Sequence, residues 1–485
     1  MELDPARQAI DEAWGLVAVP LGNSKNRKRF CGWFWRARTG LRAHLESLQA
    51  NGGGQAEWDD ARQHFEDALQ KAEALAPGRA ALDPASWDAL PQSEQEQEPL
   101  WSGDDWLAAR AEVFLAALDL HRALVTALAK TFKTNLELLA KTLAREPGAP
   151  PADAEYATWQ TLFLLIPVVS TTFASCGRLF ASLGCESLGW ALIDEAGQAL
   201  PQSAVGTLWR VERAVVVGDP RQLQPISQVP AEVQERLTHS FGVSDELWRP
   251  ADGSTQTLAD RRSVLGTTVP TTSEPVWVGA PLRVHRRCEQ PMFDMSNTLA
   301  YGGMMVYGTR WEQFPARPRD PYPGSCWIDV KRRDGTGKWV PAQGEALLRV
   351  LRKLRDGRFG VGWDQVYVLS PFRDVVTECR KRIGAALRDE LVPGRTRASF
   401  TREHIGTVHS MQGRESDVVI FILGTDRSAS GRARQWVGNP PNLLNVAVSR
   451  ARRRLFVIGR FSEWTDVPSF GVFDDPARFP RVRFD

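Results

Sequence analysis

The 485-residue chain has no GxxxxGK[ST] string, the glycine-rich loop whose backbone amides and lysine cradle a nucleotide's phosphates. Cysteine is scarce: six residues (31, 176, 185, 288, 326 and 379), with no CxxC pair and no histidine cluster beside them. That pattern argues against structural zinc and for a reduced, cytoplasmic setting. No apolar run approaches the roughly 20 residues that span a membrane, so no membrane partner is expected. The longest, residues 162–169, is interrupted by Pro167 and reads as a buried strand. The opening MELDPARQAIDEAW carries acids and lacks the basic-then-apolar pattern of a secretory signal.

What is present is ordinary in bulk and uneven in detail. Hydrophobic residues make up 43% and charged residues 24%, as expected of a globular protein long enough for two to four domains. The net charge of +2 hides an asymmetry. Residues 1–150 carry 17 basic and 22 acidic side chains, and residues 151–275 carry 8 and 14. Residues 276–485 carry 35 and 22, a net of +13 that suits a polyanionic partner. Only ten of the 60 basic residues are lysine, so an arginine-rich composition is the alternative source of that charge.

Residues 57–76 and 103–145 have helical periodicity. In the second stretch Phe114, Leu118, His121, Val125, Leu128, Phe132, Leu136, Leu139 and Leu143 form an apolar stripe, predicted to pack in an antiparallel helix pair. Residues 146–154 (EPGAPPADA) break the helix. From about residue 160 short β-branched runs alternate with helical or loop segments, the texture of a parallel α/β sheet. They lie at 167–172, 190–193 and 214–217, then at 276–278, 325–330, 365–369, 404–408, 418–423 and 455–458. The polar stretch 246–275 reads as a linker between them.

Several strings carry chemistry. The strand 191–193 ends in Asp194 and Glu195, where an open α/β sheet presents ligands. An aspartate there can hold Mg²⁺ through water, and the adjacent glutamate can deprotonate an attacking water. A pair of solvated acids is the plainer alternative. The run 214–217 leads into Gly218, Asp219, Pro220 and Gln222, a turn that delivers an amide side chain beside the acids. LRVHRRC (282–288), VYVLSPFRD (366–374), IGTVHSMQGRESD (405–417) and LLNVAVSRARRRLFVIG (443–459) follow.

In this order the strings resemble the motifs of superfamily 1 helicases, closest to the branch of the nonsense-mediated-decay helicase and its bacterial relatives. IDEAGQA (193–199) resembles the Walker B motif, and GDPRQLQPI (218–226) the third motif. LRVHRRC stands where that branch has Gln-Tyr-Arg-Met, with Arg287 at the arginine and His285 in place of the glutamine. VYVLSPFRD resembles the strand and turn with Thr-Pro-Tyr, TVHSMQGRESD the fifth motif and NVAVSRAR the sixth; the likeness runs from about residue 167 to 459. It implies two RecA-like parallel-sheet modules, the first incomplete, with an N-terminal helical arm. The corresponding divisions are 1–157 (arm), 158–245 (rest of the first module), 246–275 (linker) and 276–485 (second module).

The resemblance also implies roles. Asp194 binds Mg²⁺, Glu195 activates water, and Gln222 senses the γ-phosphate of ATP. Arg287 and Arg450 are arginine fingers, which in such enzymes contribute about 10³–10⁵ in rate. Gly218 and Asp219 belong to the nucleotide site, and Gln412, Gly413 and Glu415 link it to the strand-binding face. Ser170, Thr171, Thr172, Thr407 and His409 lie where the family touches single-stranded DNA or RNA. The phosphate loop, expected N-terminal to the arm, is absent. DGTGKWV (334–340) does not replace it, because Arg332 stands at the first glycine position and Trp339 at the Ser/Thr magnesium ligand.

Residues 21–38 interleave Lys25, Arg27, Lys28, Arg29, Arg36 and Arg38 with Phe30, Trp33, Phe34 and Trp35, which reads either as aromatics packed under the arm or as a single-strand track. The expected function is a helicase-like ATPase lacking its phosphate grip and inactive alone. A nucleotide-independent nucleic-acid scaffold, or one subunit of a split enzyme whose loop comes from a partner polypeptide, are the alternatives.

Overall fold

A computed structural model describes residues 55–75, 89–97, 104–144, 146, 152–225, 227, 229–243, 248–249, 253–270, 275–309, 324–332, 335, 337–354, 365–386, 397–411, 413–425 and 431–484. The aromatic-basic stretch 21–38 and Gln412 lie outside them. The chain forms two compact units, Met1–Leu183 and Gly184–Asp485. No helix among the described residues is long and apolar enough to cross a membrane.

The described residues of the first unit form helices and their connecting turns. Gln55–Leu75 packs on Asp104–Ala127, with Lys71 and Glu112 paired at 2.8 Å. The helix expected over 103–145 is two helices, Asp104–Ala127 and Ala129–Ala144. The second packs on Ala152–Leu165, where Asn135 Nδ2 donates to Thr161 Oγ1 at 2.9 Å. Leu124, Leu128, Phe132 and Leu139 are buried, whereas Phe114, Leu118 and Leu143 of the same stripe are exposed. The stripe is thus only partly a packing surface. The strand expected over 162–169 is also corrected. Residues 162–165 finish a helix, Ile166 N–H closes its last turn on Leu162 O at 2.7 Å, and Pro167 has no amide to offer a ladder.

In the second unit β1 (Leu188–Ile193) pairs in parallel with β2 (Val211–Val216). These two strands form a sheet of their own. Buried parallel sheets are covered on both faces, yet here Trp190, Leu192 (70% exposed), Val215 and Val217 meet solvent. Within the expected linker 246–275 the described residues include a helix and a strand. Thr255–Arg262 is a helix with a reciprocal capping box at Ser254 and Thr257. β3 (Gly266–Val269) then pairs antiparallel with β4 (Val276–Gly279). Thr255 N–H donates to Ala199 O at 2.8 Å, so this segment braces the turn that follows β1.

After the two-residue parallel pair β5 (Val284–His285) and β6 (Val306–Tyr307) comes the main sheet. It is built from β7 (Cys326–Val330), β8 (Val366–Ser370), β9 (Ile405–Thr407), β10 (Ser416–Ile422), β11 (Ala451–Gly459) and β12 (Arg481–Phe484). All pairings are parallel, in the order β12–β7–β11–β10–β8–β9. Every residue of β10 is buried, which explains its unbroken apolar sequence VVIFI. Pro341–Lys353 and Arg373–Ala386 pack on this sheet and complete a core that includes Trp327, Phe421, Phe456 and Ile458.

Candidate active site

The acids leave β1 in a tight turn. Glu195 adopts left-handed backbone (φ 53°), its N–H donates to Asp194 Oδ1 at 2.9 Å, and Gln198 Nε2 donates to Glu195 Oε2 at 2.9 Å. Asp194 is exposed and Glu195 half-buried. The neighbouring loop holds this turn from β2. Ala196 N–H donates to Val217 O at 3.0 Å, and a Cβ on Gly218 would lie 2.7 Å from Gly197 N and 2.9 Å from Ala196 N. Gly218 is therefore required by the close approach of two backbones.

Asp219 organises the loop. It accepts from Arg221 N–H (2.8 Å), from Gln222 Nε2 (3.0 Å) and from the Tyr301 hydroxyl. Burial and the Asp219 carboxylate push the Tyr301 phenol well above its ordinary value, so it stays a donor. Two asparagines of the Asn442–Ser449 helix read the loop's carbonyls: Asn442 Nδ2 reaches Gln222 O (2.7 Å) and Asn445 Nδ2 reaches Arg221 O (3.0 Å). Sequence reading missed Tyr301, Asn442 and Asn445. Asn445 stands inside NVAVSRAR and was legible there as a buried amide needing partners; Tyr301 carried no local signal.

Arg450 joins the two parts of the unit. It is 1% exposed, and its Nη2 donates to Gln222 Oε1 at 3.1 Å and its Nη1 to Arg414 O at 3.1 Å. Burial lowers the pKa of its guanidinium and Arg287 adds to that, while Glu195, Cys288 and Glu415 oppose it; an arginine remains a cation throughout. Arg287 Nε pairs with Glu415 Oε2 at 2.8 Å, and Arg452 takes Glu415 Oε1 at 2.6 Å. Glu415 thus positions Arg287. His285, in place of a glutamine, accepts from Cys288 N–H at 2.9 Å through Nε2. Burial, helped by Arg287, holds it down at about 4, so it is neutral at pH 7. The acids and Gly218 follow the carboxyl ends of β1 and β2, whereas Glu415 and Arg450 precede the amino ends of β10 and β11.

These side chains suit a magnesium nucleotide. Asp194 offers an exposed carboxylate for a hydrated cation. Arg450 Nε is buried with no hydrogen-bond partner, a donor left for an anion. No cluster of three or more His, Cys, Asp or Glu able to hold a metal occurs among the described residues. Of the other sequence-predicted residues, Thr407 ends β9 and His409 follows it, and Gly413 is an exposed left-handed turn residue (φ 74°). Ser170, Thr171 and Thr172 are exposed residues of the first unit, just before the Phe173–Leu179 helix.

One AAA-domain family model matches residues 61–228 and a second matches residues 277–462. Both matched models are of AAA domains. Among curated proteins it is similar to the MOV-10 protein of Gallus gallus, 25% identical over 346 residues (63% of this chain, 33% of the relative). It is also similar to the DNA replication ATP-dependent helicase/nuclease DNA2 of Gallus gallus, 21% identical over 299 residues (60% and 25%). The chain therefore spans a third or less of these relatives' length. A solved complex of Arterivirus nonstructural protein 10 (helicase) with DNA matches 57% of this chain and 41% of that one, at 15% identity and a TM-score of 0.26. The two domain matches and the relatives agree with the helicase resemblance of the ordered strings.

Proposed function

We propose that the chain is the hydrolysing and sensing part of a superfamily 1 helicase-like ATPase that couples ATP hydrolysis to stepping along, or unwinding, nucleic acid. One observation carries the reading: Arg450 of the sixth string donates to Gln222 of the third, with Glu195 in electrostatic range. Asp194 would hold Mg²⁺, Glu195 would orient a water and take its proton, and Gln222 would contact the γ-phosphate. Arg287 and Arg450 stabilise charge on the transferring phosphoryl group. When bound, Mg–ATP supplies the cleavable anhydride. Gly218 and Asp219 shape the nucleotide side, and Gln412, Gly413 and Glu415 couple it to the strand side. Ser170, Thr171 and Thr172 in the first unit, and Thr407 and His409 in the second, are the residues that the resemblance assigns to single-strand contact, DNA or RNA. Residues 158–245, braced by 246–275, are read as the first RecA-like module, 276–485 as the second, and 1–157 as the arm. A reduced cytoplasm, expected from the cysteine pattern, belongs to the same proposal.

A nucleotide-independent nucleic-acid scaffold, or one subunit of a split enzyme whose phosphate loop a partner polypeptide supplies, are the alternative readings. Two measurements on the purified chain test the proposal. ATP turnover should equal that of Glu195→Gln, at background; turnover well above that variant overturns the missing grip. Affinity for a single-stranded oligonucleotide should fall with salt, by about 0.7 log unit per log unit of salt for each phosphate contacted. A flat response removes the nucleic-acid partner.

A further inference from the structure

The carboxyl edge of the main sheet carries an aromatic and cationic cluster that hydrolysis leaves unused. β8 runs into Phe372 and Arg373, and β9 into His409. β10 runs into Thr425, whose N–H donates to Lys338 O at 2.8 Å. Trp436, on the Arg432–Gly438 helix, completes the cluster. Its indole lies nearly parallel to the His409 ring (13°, centroids 6.2 Å apart) and 6.2 Å from Phe372 at 32°. Lys338 Nζ sits 4.7 Å from the Phe372 centroid.

Packing does not account for the indole. Val437 and Gly438 take the buried positions of that helix, and Trp436 is 51% exposed. Phe372 is buried beside it, and burial together with Arg373 lowers the His409 pKa, favouring a neutral, flat neighbour. Lys338 lies over Phe372, Arg373 follows Phe372 in the chain, and Arg432 stands four residues before Trp436 on its helix. Open parallel sheets bind ligands beyond their carboxyl ends. An aromatic cluster with cations on the elements that build it matches a ligand with exposed flat rings on an anionic backbone. A duplex hides those rings, and an acidic peptide lacks them.

We propose that Trp436, braced by His409 and Phe372, is a stacking platform for one base of a single-stranded nucleic acid, with Lys338, Arg373 and Arg432 facing its phosphates. The proposal rests on the nucleic-acid reading above and adds the group that grips a base. The test uses the full chain with a fluorescent oligothymidylate and an abasic strand of the same length, read by anisotropy. Trp436→Ala should weaken oligothymidylate binding about 5- to 150-fold and leave abasic binding unchanged. Trp436→Phe should retain most of the affinity. Lys338→Ala should weaken both strands alike and lower the salt slope by about 0.7. Undiminished oligothymidylate binding by Trp436→Ala overturns the platform and leaves the nucleic-acid reading standing. Equal weakening on both strands overturns it in favour of a packing role. A wild-type chain that binds neither strand in a salt-dependent way overturns both.

Discussion

Two glycines of the acid-bearing region behave oppositely because of their neighbours. At Gly218 a methyl group would collide with the amides of Ala196 and Gly197, pushing away the turn that carries Asp194 and Glu195. At Gly189, inside β1, nothing lies within 4 Å of the same methyl. Gly218→Ala should therefore cost about 1–3 kcal/mol and Gly189→Ala about zero, read from urea midpoints. Equal midpoints would mean the two loops are not in contact. His285 makes a second prediction at this scale. The unfolded chain binds its proton near 6.5 and the folded chain only near 4, so stability is full above 6.5 and drains away as pH falls toward 4. Between pH 7 and pH 5 the wild type should lose about 2 kcal/mol more than His285→Gln. Matching losses would place the neutral histidine elsewhere.

At the scale of elements, the segment 246–275 shows how polarity misleads. Its Gly/Thr-rich composition reads as a linker, yet Ser254 and Thr257 are the two halves of a capping box. Ser254 Oγ accepts from Thr257 N–H at 3.1 Å, and Thr257 Oγ1 accepts from Ser254 N–H at 2.8 Å. Ser254→Ala should cost about 1 kcal/mol in a denaturant melt. A neutral result would mean that the Thr255–Arg262 helix is held by packing alone. The main-sheet strands were visible as apolar runs because parallel strands buried on both faces need no alternation. The false strand at 162–169 satisfied the same composition rule. Composition cannot say whether a neighbouring strand is there to pair with it.

For the whole molecule, the division into two units predicts how it unfolds. The second unit holds an extensive core around β7, β10 and β11, whereas the helical unit buries small groups such as Leu124, Leu128 and Phe132. Calorimetry should give a van't Hoff enthalpy below the calorimetric one, with the helical unit melting first. A single two-state transition would show that the units unfold as one.

The sequence by itself determined the order of the chemistry-bearing strings, the parallel α/β character and the charge asymmetry, because strand ends, turns and net charge are local or additive properties. It named Asp194, Glu195, Gln222 and Arg450 one by one. Only the tertiary structure decided that Gln222 and Arg450 share a hydrogen bond, that Glu415 holds Arg287, and that Tyr301 reaches Asp219 across 82 positions. Such contacts follow from strand order and register, which no local spacing encodes. The absent phosphate loop was legible from the start. Only the structure shows that, among the described residues, β1 and β2 pair with each other alone and turn Leu192 and Val215 to solvent.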